Sequence, residues 1–326
     1  MHPRPFRRIA PALAVAALAL AGSAPAASAA PPAVTTGGAA VTPSTATFTG
    51  TVDPQGRSTT YWFEYGTTSR LGARTEVVRA GSGTSRVTAA GTAVNLAANT
   101  RYHYRLVARN ADGTRRGARR TVRTQRAPLG LSLSAAPNPV PYGSQATLGG
   151  VLTGTGNANR RIEILANPFP YLTGFTPVAT VTTTPTGTFA LPIGVPTITT
   201  QLRARLAADH NLQSNVLVLP VAARVTVGTS VGRRRSDGVR IVRFAGRVRP
   251  KRDGARYAIQ RRSGSRWVTV AGGTTRHDRE EQDASRYAER VRVRHSGTYR
   301  VYVEMDGGRI VSGTSRDVRI KLRPVR

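Results

Sequence analysis

The feature that most constrains this chain is a period-two alternation of apolar and polar residues, which recurs along nearly all of the sequence after residue 40. The alternating runs are short, and clusters of Gly, Pro, Asn and Asp separate them at intervals of about ten residues. Such alternation places every second side chain on one face of a β-strand. No comparable helical pattern is readable. The sequence therefore predicts an all-β protein of short antiparallel strands.

The first third carries the clearest strands, predicted from Ala46 to Val52, from Thr59 to Tyr65 and from Tyr102 to Ala108, with Gly117 to Thr124 closing the set. Four motifs within it are Phe48-x-Gly50-x-Val52-x-Pro54, Tyr61-x-Phe63-x-Tyr65-Gly66-Thr67, Leu96-x-x-Asn99-Thr100-x-Tyr102-x-Tyr104 and Asn110-x-x-Gly113. Together they resemble the fibronectin type III-like modules of secreted actinobacterial proteins. The resemblance covers roughly residues 33–126 and implies a β-sandwich. Ala98-Asn99 stands where those modules usually have Pro-Gly, and Asn tolerates the left-handed turn that Gly supplies.

The N-terminus has the pattern of a secretory signal peptide. Arg4, Arg7 and Arg8 precede a short apolar run, and Ala27-Ser28-Ala29 is a small-residue cleavage site. The apolar run is too short to cross a bilayer, and no later segment is apolar enough to do so. We predict that residues 1–29 are a signal peptide and that the mature protein is secreted, without a membrane span.

The chain contains no cysteine. Disulfides, thiolate nucleophiles, zinc–thiolate sites and iron–sulfur clusters are therefore excluded. Each domain must be held together by apolar burial alone, which domains of about 100 residues can achieve.

The two remaining segments of the chain differ in net charge. Residues 127–222 contain four Arg and two acidic residues, whereas residues 223–326 contain 27 basic and 10 acidic residues. Both segments show alternating strands, and both resemble bacterial immunoglobulin-like modules. In the last segment Gly297-x-Tyr299 resembles the tyrosine corner of such domains, with Val301 where an antibody domain has a cysteine. The sequence predicts three tandem antiparallel β-sandwich domains after the signal peptide, at residues 33–126, 128–222 and 223–326.

The sequence contains no readable catalytic or metal-binding pattern. The five histidines show no zinc-peptidase spacing, and no Gly-x-Ser-x-Gly motif occurs. The one carboxylate cluster, Asp278, Glu280, Glu281 and Asp283, does not match an EF-hand and alternates with arginines, which favours a solvated mixed-charge loop over a calcium site. We predict no enzymatic activity, no metal and no cofactor.

Positive charge is the main functional signal, since Lys and Arg total 48 against 16 Asp and Glu, for a formal net charge of +32. Arg290, Arg292 and Arg294 alternate with valines, so a strand would place these arginines on one face and the valines in the core. With Arg233, Arg234 and Arg235 they form a candidate polyanion-contact set. The alternative is a coding bias towards Arg, because only two of the basic residues are Lys.

A second candidate surface is aromatic. Phe169, Tyr171 and Phe175 occur among prolines in one loop and are predicted as a contact patch. Trp62 and Trp267 each lie in an alternating run and are predicted to pack in a core or on a sheet face.

Three functions are compatible with these patterns. The first is a non-catalytic secreted or cell-surface protein that serves as a binding, adhesion or spacer module. The second is a polyanion or glycan binder that acts through the basic C-terminal domain. The third is an accessory protein of an extracellular glycan-degrading enzyme. The corresponding partners are an extracellular polyanion, a cell-wall or glycan polymer, or another surface protein.

Overall fold

The computed structural model describes residues 30–234, 239–294 and 296–322. The predicted signal peptide, Arg235 and the side chain of Arg234 lie outside the described residues. Every regular element in these ranges is a β-strand, which confirms the all-β prediction. No described segment forms a helix of the length and apolarity needed to cross a membrane. The chain divides into two compact units, the first ending at Arg126 and the second beginning at Ala127.

The first unit is one antiparallel sandwich, in which a three-stranded sheet, β1-β2-β6, faces a six-stranded sheet centred on β3 and β7. Between the sheets, the ring of Phe48 stacks on that of Tyr104 with a centroid distance of 4.5 Å. Its strands are β1 (Ala33–Val41), β2 (Ala46–Asp53), β3 (Thr59–Gly66), β4 (Ala73–Arg74), β5 (Val78–Gly81), β6 (Val87–Ala93), β7 (Arg101–Asn110), β8 (Gly113–Arg116) and β9 (Arg120–Arg123).

The second unit begins with another sandwich. A three-stranded sheet, β10-β12-β15, faces a five-stranded sheet in which β13 and β16 are central, and β11 pairs with β19 in parallel. Its strands are β10 (Gly130–Ala136), β11 (Val140–Pro141), β12 (Thr147–Thr153), β13 (Arg161–Pro168), β14 (Thr176–Thr182), β15 (Thr188–Pro192), β16 (Thr200–Leu206), β17 (Asp209–Gln213), β18 (Leu217–Leu219) and β19 (Val221–Ala222). Leu148, Ile162 and Phe189 are among the residues of its core.

The third sandwich, also in the second unit, consists of two five-stranded sheets. One is centred on β22 and β26 and the other on β23 and β27. Its strands are β20 (Arg224–Val225), β21 (Gly228–Arg234), β22 (Arg240–Arg249), β23 (Arg256–Ser263), β24 (Arg266–Thr274), β25 (Arg276–His277), β26 (Ser285–Val293), β27 (Gly297–Val303), β28 (Gly313–Thr314) and β29 (Val318–Ile320). Phe244, Ile259 and Val301 lie fully buried in its core.

The second and third sandwiches are joined closely. A single residue, Ala223, separates β19 from β20, and it is 3% exposed. The amide of Val311 donates to the carbonyl of Val221 at 2.8 Å, and the amide of Ala223 donates to the carbonyl of Val311 at 2.9 Å. The amide of Thr199 donates to the carbonyl of Arg309 at 2.9 Å. These bonds fix the connection from both sides.

One local prediction differs from the structure. The predicted strand from Gly117 to Thr124 is shorter in the structure, where β9 covers only Arg120–Arg123. Tyr299 is 3% exposed in the core of the third sandwich, and its role as a tyrosine corner stays a prediction. In the first sandwich, the Tyr102 hydroxyl accepts a hydrogen bond from the backbone amide of Ala97 at 3.0 Å.

The three sandwiches share one polar contact across their central strands. Arg105 binds Glu64 in the first at 2.7 Å, and Arg205 binds Glu163 in the second at 2.6 Å. The third sandwich repeats this contact with an uncharged partner. There, Arg300 donates to Gln260 at 2.8 Å.

Candidate functional site

The predicted arginine strand lies at the centre of a sheet in the third sandwich. Arg290, Arg292 and Arg294 are exposed, whereas Val291 and Val293 are 5% and 2% exposed and belong to the core. The predicted alternation of the two faces is therefore confirmed. Whether the arginines bind a polyanion stays a prediction. Arg233 is also exposed on β21.

Neighbouring strands add arginines that the sequence analysis did not place on this face. Arg243 lies directly opposite Arg290, and Arg247 lies opposite Arg286, which in turn pairs with Arg276 of β25. Opposed residues have Cβ atoms about 5 Å apart, so these are rows of like charge. We call this surface the arginine face. Its members are Arg243, Arg247, Arg276, Arg286, Arg290, Arg292 and Arg294.

A row of small residues separates the two arginine rows. Gly228 pairs with Ala245, and Ala245 pairs with Ala288, so the three lie side by side across β21, β22 and β26. A depression lined by Ala245 and Ala288 of this row, which we call the arginine trough, has a volume of about 740 Å³. Arginines of both rows line it, as do three carboxylates, those of Asp278, Glu280 and Glu289. The trough is therefore polar, with four arginines and three carboxylates in its lining.

The predicted mixed-charge loop at residues 278–283 neutralises one end of the face. Arg247 contacts Asp278 at 2.6 Å and Glu281 at 3.1 Å, and it also contacts Glu280. Arg249 contacts Glu281 and lies 3.3 Å from Asp283. The loop is thus not simply solvated, because its carboxylates form ion pairs with two arginines of β22. Nowhere in the described ranges do three His, Asp or Glu side chains converge to hold a metal ion.

Asp278 is the most deeply placed of these carboxylates, with 3% exposure. The Arg247 guanidinium, and after it the backbone amide of Glu280, hold the pKa of Asp278 below its usual value. The same contact raises the pKa of Arg247. Both groups therefore stay charged at neutral pH.

The rest of the arginine face has no such compensation. Among the described residues, no carboxylate forms an ion pair with Arg243, Arg290, Arg292 or Arg294. Glu289 lies next to Arg290 in sequence, but its carboxylate accepts a hydrogen bond from the Tyr257 hydroxyl at 3.3 Å and one from the backbone amide of Arg290 at 3.1 Å. The positive field is thus concentrated at the end of the face away from the acidic loop.

The predicted aromatic patch is distributed over different contacts. Phe169 packs at the junction, where a Cβ atom on Gly308 would lie 2.8 Å from its ring. Tyr171 meets Phe169 edge-on, with ring centroids 5.6 Å apart, and the Arg203 guanidinium lies 4.7 Å from the centre of the Phe175 ring. All three rings are half-buried, so they do not form one exposed surface.

The two tryptophans lie on sheet faces, as predicted. Trp62 is half-buried and pairs with Val107 of the neighbouring strand. Trp267 is half-buried beneath the Arg300 guanidinium, whose carbon lies 4.2 Å from the ring centre. Neither ring belongs to the arginine face.

The described histidines are dispersed. His103 is half-buried on β7. His210 is mostly exposed and lies 4.0 Å from Glu163, and His277 lies 3.8 Å from Asp253. His2 and His295 lie outside the described residues.

Comparison with known proteins shows similarity in structure only. No family model matches the chain, and no relative was found among curated proteins. The chain is similar to a crystallised tetra-tandem repeat from the extending region of a large adhesion protein, with 13% identity, a TM-score of 0.27 and coverage of 90% of this chain and 74% of that one. It is also similar to the FN1–FN3 domains of chicken CNTN1, with 13% identity, a TM-score of 0.26 and coverage of 90% and 99%. These likenesses are too distant to indicate a function.

Proposed function

We propose that this protein is an exported, non-catalytic binding protein that attaches to a polyanionic polymer outside the cell through the arginine face of its third sandwich. Residues 1–29 would direct export. The modules would be residues 33–126, 128–222 and 223–326. The observation that carries the proposal is the pair of arginine rows on one sheet, of which the row with Arg243 and Arg290 has no acidic partner among the described residues.

The energetics of the sheet support a binding role. Like charges directly opposite each other destabilise an antiparallel pair. The contacts of Arg247 with the acidic loop offset that cost in one row, whereas the Arg243–Arg290 row has no such compensation. A bound polyanion would relieve this repulsion. Binding would also release counterions, so affinity should fall steeply with salt concentration.

The junction supports a second part of the same proposal, in which the second sandwich holds the third in a fixed orientation. The one-residue connection at Ala223 and the three backbone hydrogen bonds around it leave little freedom between the two. This fixed orientation lowers the entropy lost when a long polymer binds to the arginine face.

The proposal is tested with the full chain and three substitutions, Arg290→Ser, Arg292→Ser and Arg294→Ser, combined. Binding to a sulfated polysaccharide is measured over a range of salt concentrations. We expect the triple variant to bind at least tenfold more weakly, and the slope of log K against log salt to become shallower by roughly two to three. The fold should persist, because these side chains face solvent.

A matched control removes the same charge elsewhere. Arg109, Arg115 and Arg116 are exposed on strands of the first sandwich, and their combined change to Ser should leave binding within about twofold. Equal losses in both triple variants would mean that net charge alone attracts the polymer, and the arginine face would not be the site. No binding by the unaltered protein at low salt would refute the proposed function itself.

A further inference from the structure

We propose that the arginine trough holds a single-chain anionic polysaccharide, which crosses strands β21, β22 and β26 instead of running along them. This inference rests on the proposed function and adds the ligand class and its direction. It starts from the row of small residues, Gly228, Ala245 and Ala288, of which Ala245 and Ala288 are flanked on both sides by arginines.

The dimensions suit one polymer chain. Arg243 and Arg247 are four residues apart on the same strand, as are Arg286 and Arg290, so the rows are about 13 Å apart. The floor spans three strands, about 10 Å between the outer two. A polymer lying on this floor has Arg243 and Arg290 on one side and Arg276 and Arg286 on the other, since Arg247 is already paired with the acidic loop.

The floor itself favours close approach. No floor residue has a side chain beyond Cβ, while every flanking arginine has a long one. A ring lying flat on Ala245 and Ala288 would contact the sheet directly, with guanidinium groups at both edges. Any larger side chain in the floor would lift the polymer away from the arginines.

The chemistry of the walls favours a sugar polymer over a nucleic acid. The guanidinium fork matches the oxygens of carboxylate, sulfate and phosphate groups alike, so the arginines do not by themselves distinguish a sugar polymer from a nucleic acid. The hydroxyl-bearing residues Thr226 and Thr274 line the trough as well, and they can pair with sugar hydroxyls. Binding of single-stranded nucleic acid depends on exposed aromatic rings for stacking. The two aromatic residues lining the trough, Tyr257 and Tyr287, are only 6% and 4% exposed.

The test fills the floor without changing any charge. Ala288 is exposed on β26, so Ala288→Leu should fold normally. Ala190→Leu is the control, because Ala190 is an exposed alanine on strand β15 of the second sandwich. The full chain is titrated with a heparin-derived hexasaccharide, with an oligomeric polyuronate and with an oligo(dT) of matched charge. Thermal unfolding is used to verify that each variant is folded.

We expect Ala288→Leu to weaken binding of the sulfated oligosaccharide at least tenfold and Ala190→Leu to change it less than twofold. Comparable binding of the polyuronate would show that any anionic polysaccharide suffices, whereas preference for the hexasaccharide would identify sulfate as the recognised group. Both results support the inference.

Two results would overturn it. If Ala288→Leu binds as tightly as the unaltered protein, the polymer does not lie in the trough, although the proposed function survives through the arginine face. If oligo(dT) binds as tightly as the hexasaccharide and loses its affinity in Ala288→Leu, the trough is real but its ligand is not a polysaccharide.

Discussion

At the scale of single residues, the contact between Asp278 and Arg247 sets the boundary of the arginine face. Their 2.6 Å ion pair ties the acidic loop to β22. The loop's carboxylates neutralise Arg247 and Arg249 and extend no ion pair to Arg243 or Arg290. The positive charge of the arginine face is therefore uncompensated only at arginines that have no ion pair with a carboxylate of the described residues, such as Arg243 and Arg290.

The Asp278–Arg247 ion pair makes the stability of the third sandwich depend on pH. The pKa of Asp278 is lowered in the folded state, so its contribution is complete above the unfolded-state pKa of about 4 and is lost as the pH falls through the lower, folded value. We expect acidification from pH 6 to pH 3 to reduce the urea midpoint less in Asp278→Asn than in the unaltered protein. Trp267 fluorescence, in a Trp62→Phe background, reports on this sandwich.

Asp317→Asn is the control for this measurement. Asp317 is exposed in the same sandwich, and no described residue forms an ion pair with it. Its variant should follow the unaltered protein at every pH. Parallel acid sensitivity in Asp278→Asn and the unaltered protein would show that the ion pair contributes nothing to the pH dependence.

At the scale of elements, the register between β22 and β26 determines which side chains meet. Residues Arg243 and Arg290 are opposed, and on the other face Val242 is opposed to Val291. A shift of one residue would move every valine to the surface and every arginine into the core. Burial of the valines therefore fixes the arginine rows.

Val291→Ala tests this dependence. Val291 is 5% exposed in the core, so losing two methyl groups should lower the free energy of unfolding by about 2 kcal/mol. Val268→Ala is the matched control, since Val268 is 50% exposed on β24, and it should change stability by less than about 0.5 kcal/mol. Urea unfolding distinguishes the two, and equal effects would contradict the register.

The strands, and the face on which each side chain lies, were largely predictable from the sequence, because both follow from the alternation of apolar and polar residues. Asn99, which stands where the similar modules have Gly, adopts the expected left-handed conformation with φ of 51°. The opposed arginines were not predictable. Arg243 and Arg290 are far apart in sequence, and alternation does not determine which strands pair or in which register.

The ion pairs of the acidic loop were not predictable for the same reason. Its four carboxylates were readable as a cluster, but Arg247 lies 31 residues before Asp278. Only the tertiary fold brings them together. The packing of the aromatic loop was not predictable for a related reason, because Phe169 packs on Gly308, a residue of the next sandwich.

At the scale of the whole molecule, the second and third sandwiches form one compact unit, whereas the first is a separate unit. The polypeptide passes between the second and third through buried residues, with Val221 fully buried and Ala223 3% exposed. The backbone bonds of Val311 lie on this passage, whereas the Phe169 ring packs on Gly308 of the third sandwich.

Phe169→Ala should loosen this junction without unfolding either sandwich. We expect limited proteolysis of the full chain to produce a new cut near Gly308, since the ring that packs on it is gone. Leu172→Ala is the matched control, because Leu172 belongs to the same loop but is 85% exposed. Its digestion pattern should equal that of the unaltered protein. An unchanged pattern in Phe169→Ala would show that the ring does not secure the junction.

The polar contact shared by the three sandwiches has a consequence for the third. Glu64 and Glu163 hold their arginines as carboxylates, whereas Gln260 holds Arg300 as a neutral amide. The geometry of the contact is retained, but one negative charge has been left out of the module that is already the most basic. A Gln260→Glu exchange would thus complete the match among the three modules while lowering the net positive charge of the third by one.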